Sequence, residues 1–490
     1  MMSTQTTQTI LILTNSEPGQ SSVHLAVAHE ILLRSPYEMH IASFPILEEK
    51  VKELNAYALE CATNAAAATF HSLEGPSCVE ATLKHYNPAN FLSVRPGYGI
   101  RAAVNMYSKD LPLVASLWDP DDFLTVYDSC MKVIDEVKPD LVVVDMILQP
   151  ATDACNVSKV NYCFLGPNTF LEHIPTLRIS QPWKYPQMNS GFPFPLPWIQ
   201  VLPNIYLAFR MVLSLATSRR LKDVQEARNA HGIPGPYPPV ITSVQSIITS
   251  RPDTDYPCKI PANITCCGPV LRPCKPIEEQ NPEVALWLAQ RPTVLVNLGS
   301  GLIWDTQRTE QFAEGIRVLL HRRSWIQVLW KLQTTSPMGS VEHDGDPLSC
   351  IRENIDSGQV KIMQWLPDPI SILQSGNILC MVHHGGSNSY HEAIQAGVPH
   401  VALPIWFDTY DFATRVEWLG IGVWGNKSAA PQIDGAELGR ALVRAVASDE
   451  SVNMFLKAQE IMGNLGEGRV IACEKLIELL GPGRNEVEEQ

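Results

Sequence analysis

Between Ile378 and Gly422 the chain reads ILCMVHHGGSNSYHEAIQAGVPHVALPIWFDTYDFATRVEWLGIG. The apolar run Ile378 to Val382 has the length and flanks of a buried strand, and Ser387, Asn388 and Ser389 open a helix. Between them stand His383, His384, Gly385 and Gly386. Such a strand–glycine–helix junction leaves unpaired backbone N–H groups at a helix N-terminus, where an anion is favoured. The glycines let a phosphate approach the backbone, and the Ser and Asn side chains add donors. Glu392 follows one turn along on the same face, where a carboxylate suits a sugar diol. The junction thus offers a diphosphate pole and a ribose pole. Gly397-Val398-Pro399 and a second buried strand, His400 to Leu403, come next, with Asp408 just beyond that strand's carboxyl end. Open α/β sheets bind ligands there.

The elements that must hold these residues recur through the chain. Thr9–Thr14 reads as a buried parallel strand, followed by a helix with Val23, Val27, Ile31 and Leu32 on one face. Met39–Ser43, Asp140–Asp145, Tyr162–Leu165 and Ser246–Ser250 continue the strands of a first half, with an amphipathic helix over Phe123–Val137. Asp145 ends its strand with an acid. The Pro-rich stretch 251–290 reads as a linker. Strands at Thr293–Asn297, Ile326–Trp330 and Val360–Gln364 then lead into the Ile378 stretch, and Gly299-Ser300-Gly301 makes a glycine turn before a helix near Asp305–His321. This βαβ rhythm predicts an α/β fold with domains at 1–250 and 291–465, and a final helix in 466–490 that folds back on the first domain.

Composition sets bounds. The net charge of −14 argues against a polyanionic partner, so no nucleic acid is expected. The 12 cysteines lack the paired spacing of a zinc or disulfide framework; Cys258, Cys266, Cys267 and Cys274 cluster, and read as free linker thiols. Thr9–Thr14 is too short for a signal segment and has no basic residues before it, and no run of about 20 apolar residues exists. A cytoplasmic location is the expectation. Ile199–Ala216, with only Gln200, Asn204 and Arg210 polar before its final turn, predicts an amphipathic helix. It either covers an apolar pocket or rests on a membrane surface through 192–216.

With Trp365 and Pro367 upstream, the series His384, Gly386, Asn388, Ser389, Glu392, Gly397, Pro399 and Asp408 resembles the donor-sugar signature of the family 1 UDP-glycosyltransferases. Gly299-Ser300 and Gly268-Pro269 match two further family turns, so the resemblance runs nearly full length. NLGSG, the DFA after Asp408 and WLGIG look most like fungal members. The resemblance implies the GT-B fold: two facing Rossmann-like doubly wound parallel-sheet domains, acceptor on the first and donor on the second. It implies that Trp365 stacks on uracil and that Ser300, His384, Gly386, Asn388 and Ser389 hold the diphosphate. Glu392 then binds ribose and Asp408 the sugar, with Thr409 where a sugar-binding Gln is usual. Asp368 likewise stands where Gln is usual.

The implied reaction is an inverting, metal-independent transfer of a hexose, glucose by default, from a UDP-sugar. Its acceptor is a hydroxyl of a small lipophilic molecule, such as a terpenoid, sterol, phenolic or other secondary metabolite. No cofactor is implied beyond the donor substrate, and a monomer is expected. The family's base is a His after the first strand, oriented by an Asp. That slot holds Gln20, so His24, one turn later, is the expected base, with Asp145 as its orienter. Gln20 or another cleft group polarising the acceptor is the alternative. Two further readings stay open: a non-catalytic GT-B partner protein, and an enzyme using another nucleotide sugar. His29 reads as structural, and His384 is preferred to His383 as the phosphate contact.

Overall fold

Short aliphatic runs bounded by glycine, proline or asparagine alternate with amphipathic helices, and the runs fold as buried parallel strands. The computed structural model describes residues 8–34, 37–86, 97–239, 243–299, 304–333 and 346–481. The first sheet contains β1 (Thr9–Leu13), β2 (Glu38–Ser43), β3 (Thr69–Ser72), β4 (Leu141–Val144), β5 (Tyr162–Gly166), β6 (Ser246–Ile248) and β7 (Ile264–Cys266). They pair in the order β3-β2-β1-β4-β5-β6-β7, all parallel. The second contains β8 (Thr293–Val296), β9 (Gln327–Lys331), β10 (Val360–Met363), β11 (Ile378–His383), β12 (His400–Ala402) and β13 (Gly422–Trp424). Its order is β10-β9-β8-β11-β12-β13, again parallel.

In each sheet the strand order reverses once, between β1 and β4 and between β8 and β11. Ligands bind at such switch points, outside the strands' carboxyl ends. The loops there carry Asn15–Glu17, Asp145, Asn297–Gly299 and His384–Gly386, so topology brings Asp145, His384 and Gly386 of the residues singled out above to the two switch points.

Three strands were not legible in the sequence: β3, β7 and β13. Strand β7 lies inside the stretch expected as a linker and extends the first sheet, so the crossover between sheets begins after Cys266. The final helix, Gly468–Leu480, buries Ala472, Cys473 and Leu476 among Val23, Val27 and Ile31 of the first helix, Pro18–Leu32. Each fully buried aliphatic side chain there contributes about 1.5–3 kcal/mol. Arg469 adds an ion pair to Glu30 at 2.8 Å.

Buried polar contacts join the two halves. Arg415 of the second domain donates to Asp255 at 2.7 Å, both fully buried. Arg178 of the first pairs with Asp411 of the second. The Tyr390 hydroxyl donates to the Thr254 carbonyl at 2.6 Å.

The helix Trp198–Thr217 buries Asn204, Leu207, Ala208 and Met211, packed against Ala103, Met106 and Tyr107 of the helix Ile100–Lys109. The opposite face carries Trp198, Leu202, Ile205, Phe209 and Val212 to solvent, with Trp198 86% and Leu202 76% exposed.

Candidate active site

The second-domain wall is built around His384. Its ring fits only because two neighbours lack side chains: a Cβ on Gly386 would stand 2.4 Å from His384 Nε2, and one on Gly299 2.9 Å from its Cε1. Burial, then the Lys331 charge, lowers the imidazole to about 4, so at neutral pH it is uncharged and keeps one N–H to donate. Its Nδ1 is buried without a hydrogen-bond partner among the described residues. His383 is consumed structurally. Gly385 N–H donates to its Nδ1 at 3.1 Å, which leaves its Nε2–H to meet His400 Nδ1 at 3.0 Å.

The helix Ser387–Ala396 presents its N-terminus to the cleft. Ser389 is buried beside that end, while Asn388 donates across the cleft to the Pro18 carbonyl at 2.9 Å. Ser387 Oγ donates to the Pro167 carbonyl. Glu392, half-buried one turn down, is raised to about 7, chiefly by burial, with Asp368 raising it further and Arg272 opposing. Trp365 lies 64% exposed, an open indole for a base to stack on. Asp368 caps the following helix by accepting from Ile370 N–H at 3.0 Å, which accounts for an acid at that position.

Asp408 stands half-buried at the second sheet's carboxyl edge, facing Glu172 of the first domain. Thr409 is engaged in its own turn. Its hydroxyl accepts from Ile405 N–H at 3.2 Å and Trp406 N–H at 3.1 Å and donates to the Trp406 carbonyl. The turn before the helix uses its hydrogen-bonding capacity, so it has little left for a sugar. Ser300 lies outside the described residues.

The first-domain wall differs from expectation in its wiring. His24 is 1% exposed beneath the helix. Its Nδ1 lies 3.0 Å from the Gln20 carbonyl, so that nitrogen carries the proton, and 3.1 Å from Thr14 Oγ1. Its Nε2 has no partner among the described residues. Burial lowers its pKa, and the Asp145 charge pulls the other way. Asp145 itself accepts from Asn15 N–H at 3.2 Å, Asn15 Nδ2 at 2.9 Å and Ile147 N–H at 3.0 Å. Asp145 and His24 are therefore neighbours, but among the described residues no hydrogen bond joins them. Asn15 is what Asp145 orients.

Sequence reasoning missed Lys331, whose Nζ donates to the Gly299 carbonyl at 3.2 Å and lies 4.7 Å over the Trp365 ring. It follows the aliphatic run of β9 at the carboxyl end, the position that carried the signal. Glu172 was missed too. The Thr169-x-x-Glu172 capping box, with Glu172 accepting from Thr169 N–H at 2.8 Å, was readable as a helix start at the cleft.

Comparison with known proteins agrees with this geometry. The family model described as UDP-glucoronosyl and UDP-glucosyl transferase matches residues 129–452. Glycosyltransferase sdnJ of Sordaria araneosa is 34% identical over 503 residues, covering 95% of this chain and 96% of that protein. A rat 2-hydroxyacylsphingosine 1-beta-galactosyltransferase is 24% identical over 56% of this chain and 47% of its own length. Among solved structures, a Polygonum tinctorium UDP-glucosyltransferase superposes with a TM-score of 0.62 at 15% identity, covering 98% of this chain and 100% of that one. Phytolacca americana UGT2 gives 0.60 at 13% identity, with 96% and 99% covered. The fold is the GT-B arrangement of two facing Rossmann-like domains. The chain belongs to the UDP-glucoronosyl and UDP-glucosyl transferase family and is a UDP-sugar-dependent glycosyltransferase.

Proposed function

We propose that the enzyme transfers a hexose, glucose first among them, from a UDP-sugar to a hydroxyl of a small lipophilic acceptor, with inversion at the anomeric carbon. The observation that carries this reading is the Asn388–Pro18 hydrogen bond. It sets the diphosphate end of the donor helix against the loop that opens the first domain's cleft. Uracil would stack on Trp365, the diphosphate would meet His384, Ser389 and the helix N-terminus, ribose would meet Glu392, and the sugar would meet Asp408. Charge developing on the leaving UDP is met by fixed donors and by the nearby Lys331, which supports a reaction without a metal. The acceptor's proton goes to the first domain at the mouth of β1 and β4, where His24 and Asp145 lie. The anomeric configuration of the product by proton NMR tests inversion: a β-linked glucoside from α-linked UDP-glucose supports it, and an α-linked one contradicts it.

We also propose that the enzyme works in the cytoplasm at a membrane surface, from which a lipophilic acceptor would be drawn. Twelve free cysteines support a reducing compartment. The outward face of Trp198–Thr217 supports the contact, as does the charge around it. No acidic residue occurs between Glu172 and Asp223 of this otherwise acidic chain, while Lys184, Arg219 and Lys222 are exposed. An amphipathic face of this kind favours anionic lipid. Co-sedimentation with phosphatidylserine vesicles is expected, and is expected to be lost in Leu202→Glu/Phe209→Glu. Vesicle binding that survives the double substitution contradicts this contact.

A further inference from the structure

The first-domain wall holds a carboxylate that neither the motif nor the family slot picks out. Glu17 ends the loop after β1 and directly precedes Pro18, whose carbonyl receives the Asn388 amide. It stands one turn before Gln20, the position where a basic side chain is missing. Its Oε1 accepts from Val79 N–H at 2.8 Å, at the start of the helix Cys78–Leu83. Its Oε2 is buried and has no partner among the described residues.

A buried carboxylate oxygen without a donor is costly, and native structures rarely leave one so. A substrate hydroxyl at the cleft would supply the missing O–H. The groups packed around Glu17 make it more basic. Burial is the largest cause of its raised pKa, with the Asp145 charge from the end of β4 and the Glu80 charge from the helix Cys78–Leu83 adding to it. The Val79 N–H and Glu17's own N–H oppose them, each ahead of the two charges, and the neighbouring Cys78 thiol is itself raised out of the neutral range. The other candidates fit less well. Gln20 has no basic atom at neutral pH. His24 turns its protonated nitrogen to the Gln20 carbonyl, and burial makes its ring less basic whereas it makes Glu17 more so.

We propose that Glu17 is the general base of this enzyme. The proposal rests on the reading that a hydroxyl is glycosylated. As the acceptor oxygen bonds to the anomeric carbon, the bond from that carbon to the UDP oxygen breaks and its electron pair leaves with UDP. The hydroxyl proton passes to Glu17 Oε2 and from there to solvent. Asp145 keeps Glu17 basic by its charge and fixes Asn15 beside it; it is a positioning residue.

Glu17→Gln and Glu17→Asp, assayed with an aliphatic alcohol and with 4-nitrophenol, test this, with UDP affinity by calorimetry as the check on folding. Glu17→Gln should lose about 10²–10⁴-fold in turnover of the alcohol, the scale of a lost positioned base, while binding UDP as the parent does. Glu17→Asp should retain an intermediate rate. 4-Nitrophenol, partly ionised near neutral pH, should recover most of the lost rate in Glu17→Gln. The parent's fall in kcat toward acid, read with UDP-glucose saturating, should be reduced in that variant. Near-parental turnover of the alcohol by Glu17→Gln, or equal loss on both acceptors, overturns the proposal. If the parent binds UDP yet glycosylates neither acceptor nor any of a wider set, the hydroxyl-transfer reading fails, and Glu17 falls with it.

Discussion

The side-chain amide of Asn388 donates to the backbone carbonyl of Pro18 at 2.9 Å, across the cleft between the two sheets. One residue belongs to the first turn of the donor helix and the other to the first turn of the helix that follows β1. The contact therefore ties the N-terminus of the helix Ser387–Ala396 to the loop at the mouth of the first sheet. Asn388→Ala removes one neutral hydrogen bond, about 0.5–1.5 kcal/mol, or roughly 2- to 12-fold in an equilibrium. The expected result is a loss of stability of that order, together with a fall in kcat/KM for the UDP-sugar. A fall in the midpoint without a change in kinetics would make Asn388 structural.

On the proposed assignment, Glu392 meets the ribose and Asp408 the transferred sugar. Glu392→Ala is expected to weaken UDP and UDP-sugar alike by about 1.5–3 kcal/mol, the range for a charged hydrogen-bond acceptor. Asp408→Ala is expected to spare UDP and to impair use of the sugar. Calorimetric titration with UDP decides it: equal losses in the two variants contradict the division.

Asp408 also makes stability depend on pH. Its carboxyl is pushed up to about 8, first by burial and then by the charges of Glu172 and Asp411. A carboxyl raised above its unfolded value binds more protons in the native state. Its contribution to stability is therefore full below the unfolded value near 4 and is lost as pH rises toward 8. Asp408→Asn removes that loss. Denaturant midpoints are expected to favour the variant most at about pH 8, with the difference shrinking toward about pH 5. A difference that grows toward acid contradicts the assignment.

The domain junction depends on Asp255, which is fully buried. Beyond Arg415 it accepts from Phe170 N–H at 2.7 Å and Ser250 Oγ at 2.9 Å. Asp255→Ala leaves the buried Arg415 guanidinium without its carboxylate, a change that typically costs about 3–5 kcal/mol. Chemical denaturation should show a loss on that scale, whereas replacing both partners with apolar residues should cost much less.

The sequence displayed the donor wall more fully than the acceptor wall, for a physical reason. His384, Asn388, Ser389, Glu392 and Asp408 sit on one strand–turn–helix unit and the strand after it, so local spacing encodes their geometry. Strands β1, β4, β8 and β11 were legible because buried parallel strands are unbroken aliphatic runs. Strands β7 and β13 have three residues each and show no periodicity. The acceptor wall is assembled from residues far apart in the chain. Glu17 meets Val79 across 62 positions, and nothing near either residue encodes that meeting. Helical spacing places His24 on the face of Gln20, while packing turns its ring into the core, which spacing alone does not show. Thr409 stands where a Gln is usual in the family, and only the fold shows its hydroxyl engaged by the turn before its helix.

The measurement that bears most directly on the central claim is acceptor-dependent release of UDP. The purified full-length chain would be offered UDP-glucose, UDP-galactose and UDP-N-acetylglucosamine with a panel of terpenoid, sterol and phenolic hydroxyl compounds, with and without a chelator. The prediction is that UDP appears in step with a glycosylated product for at least one lipophilic acceptor, fastest with UDP-glucose and unaffected by the chelator. UDP binding with no product from any pairing, or turnover that collapses on chelation and returns with a divalent cation, would contradict it.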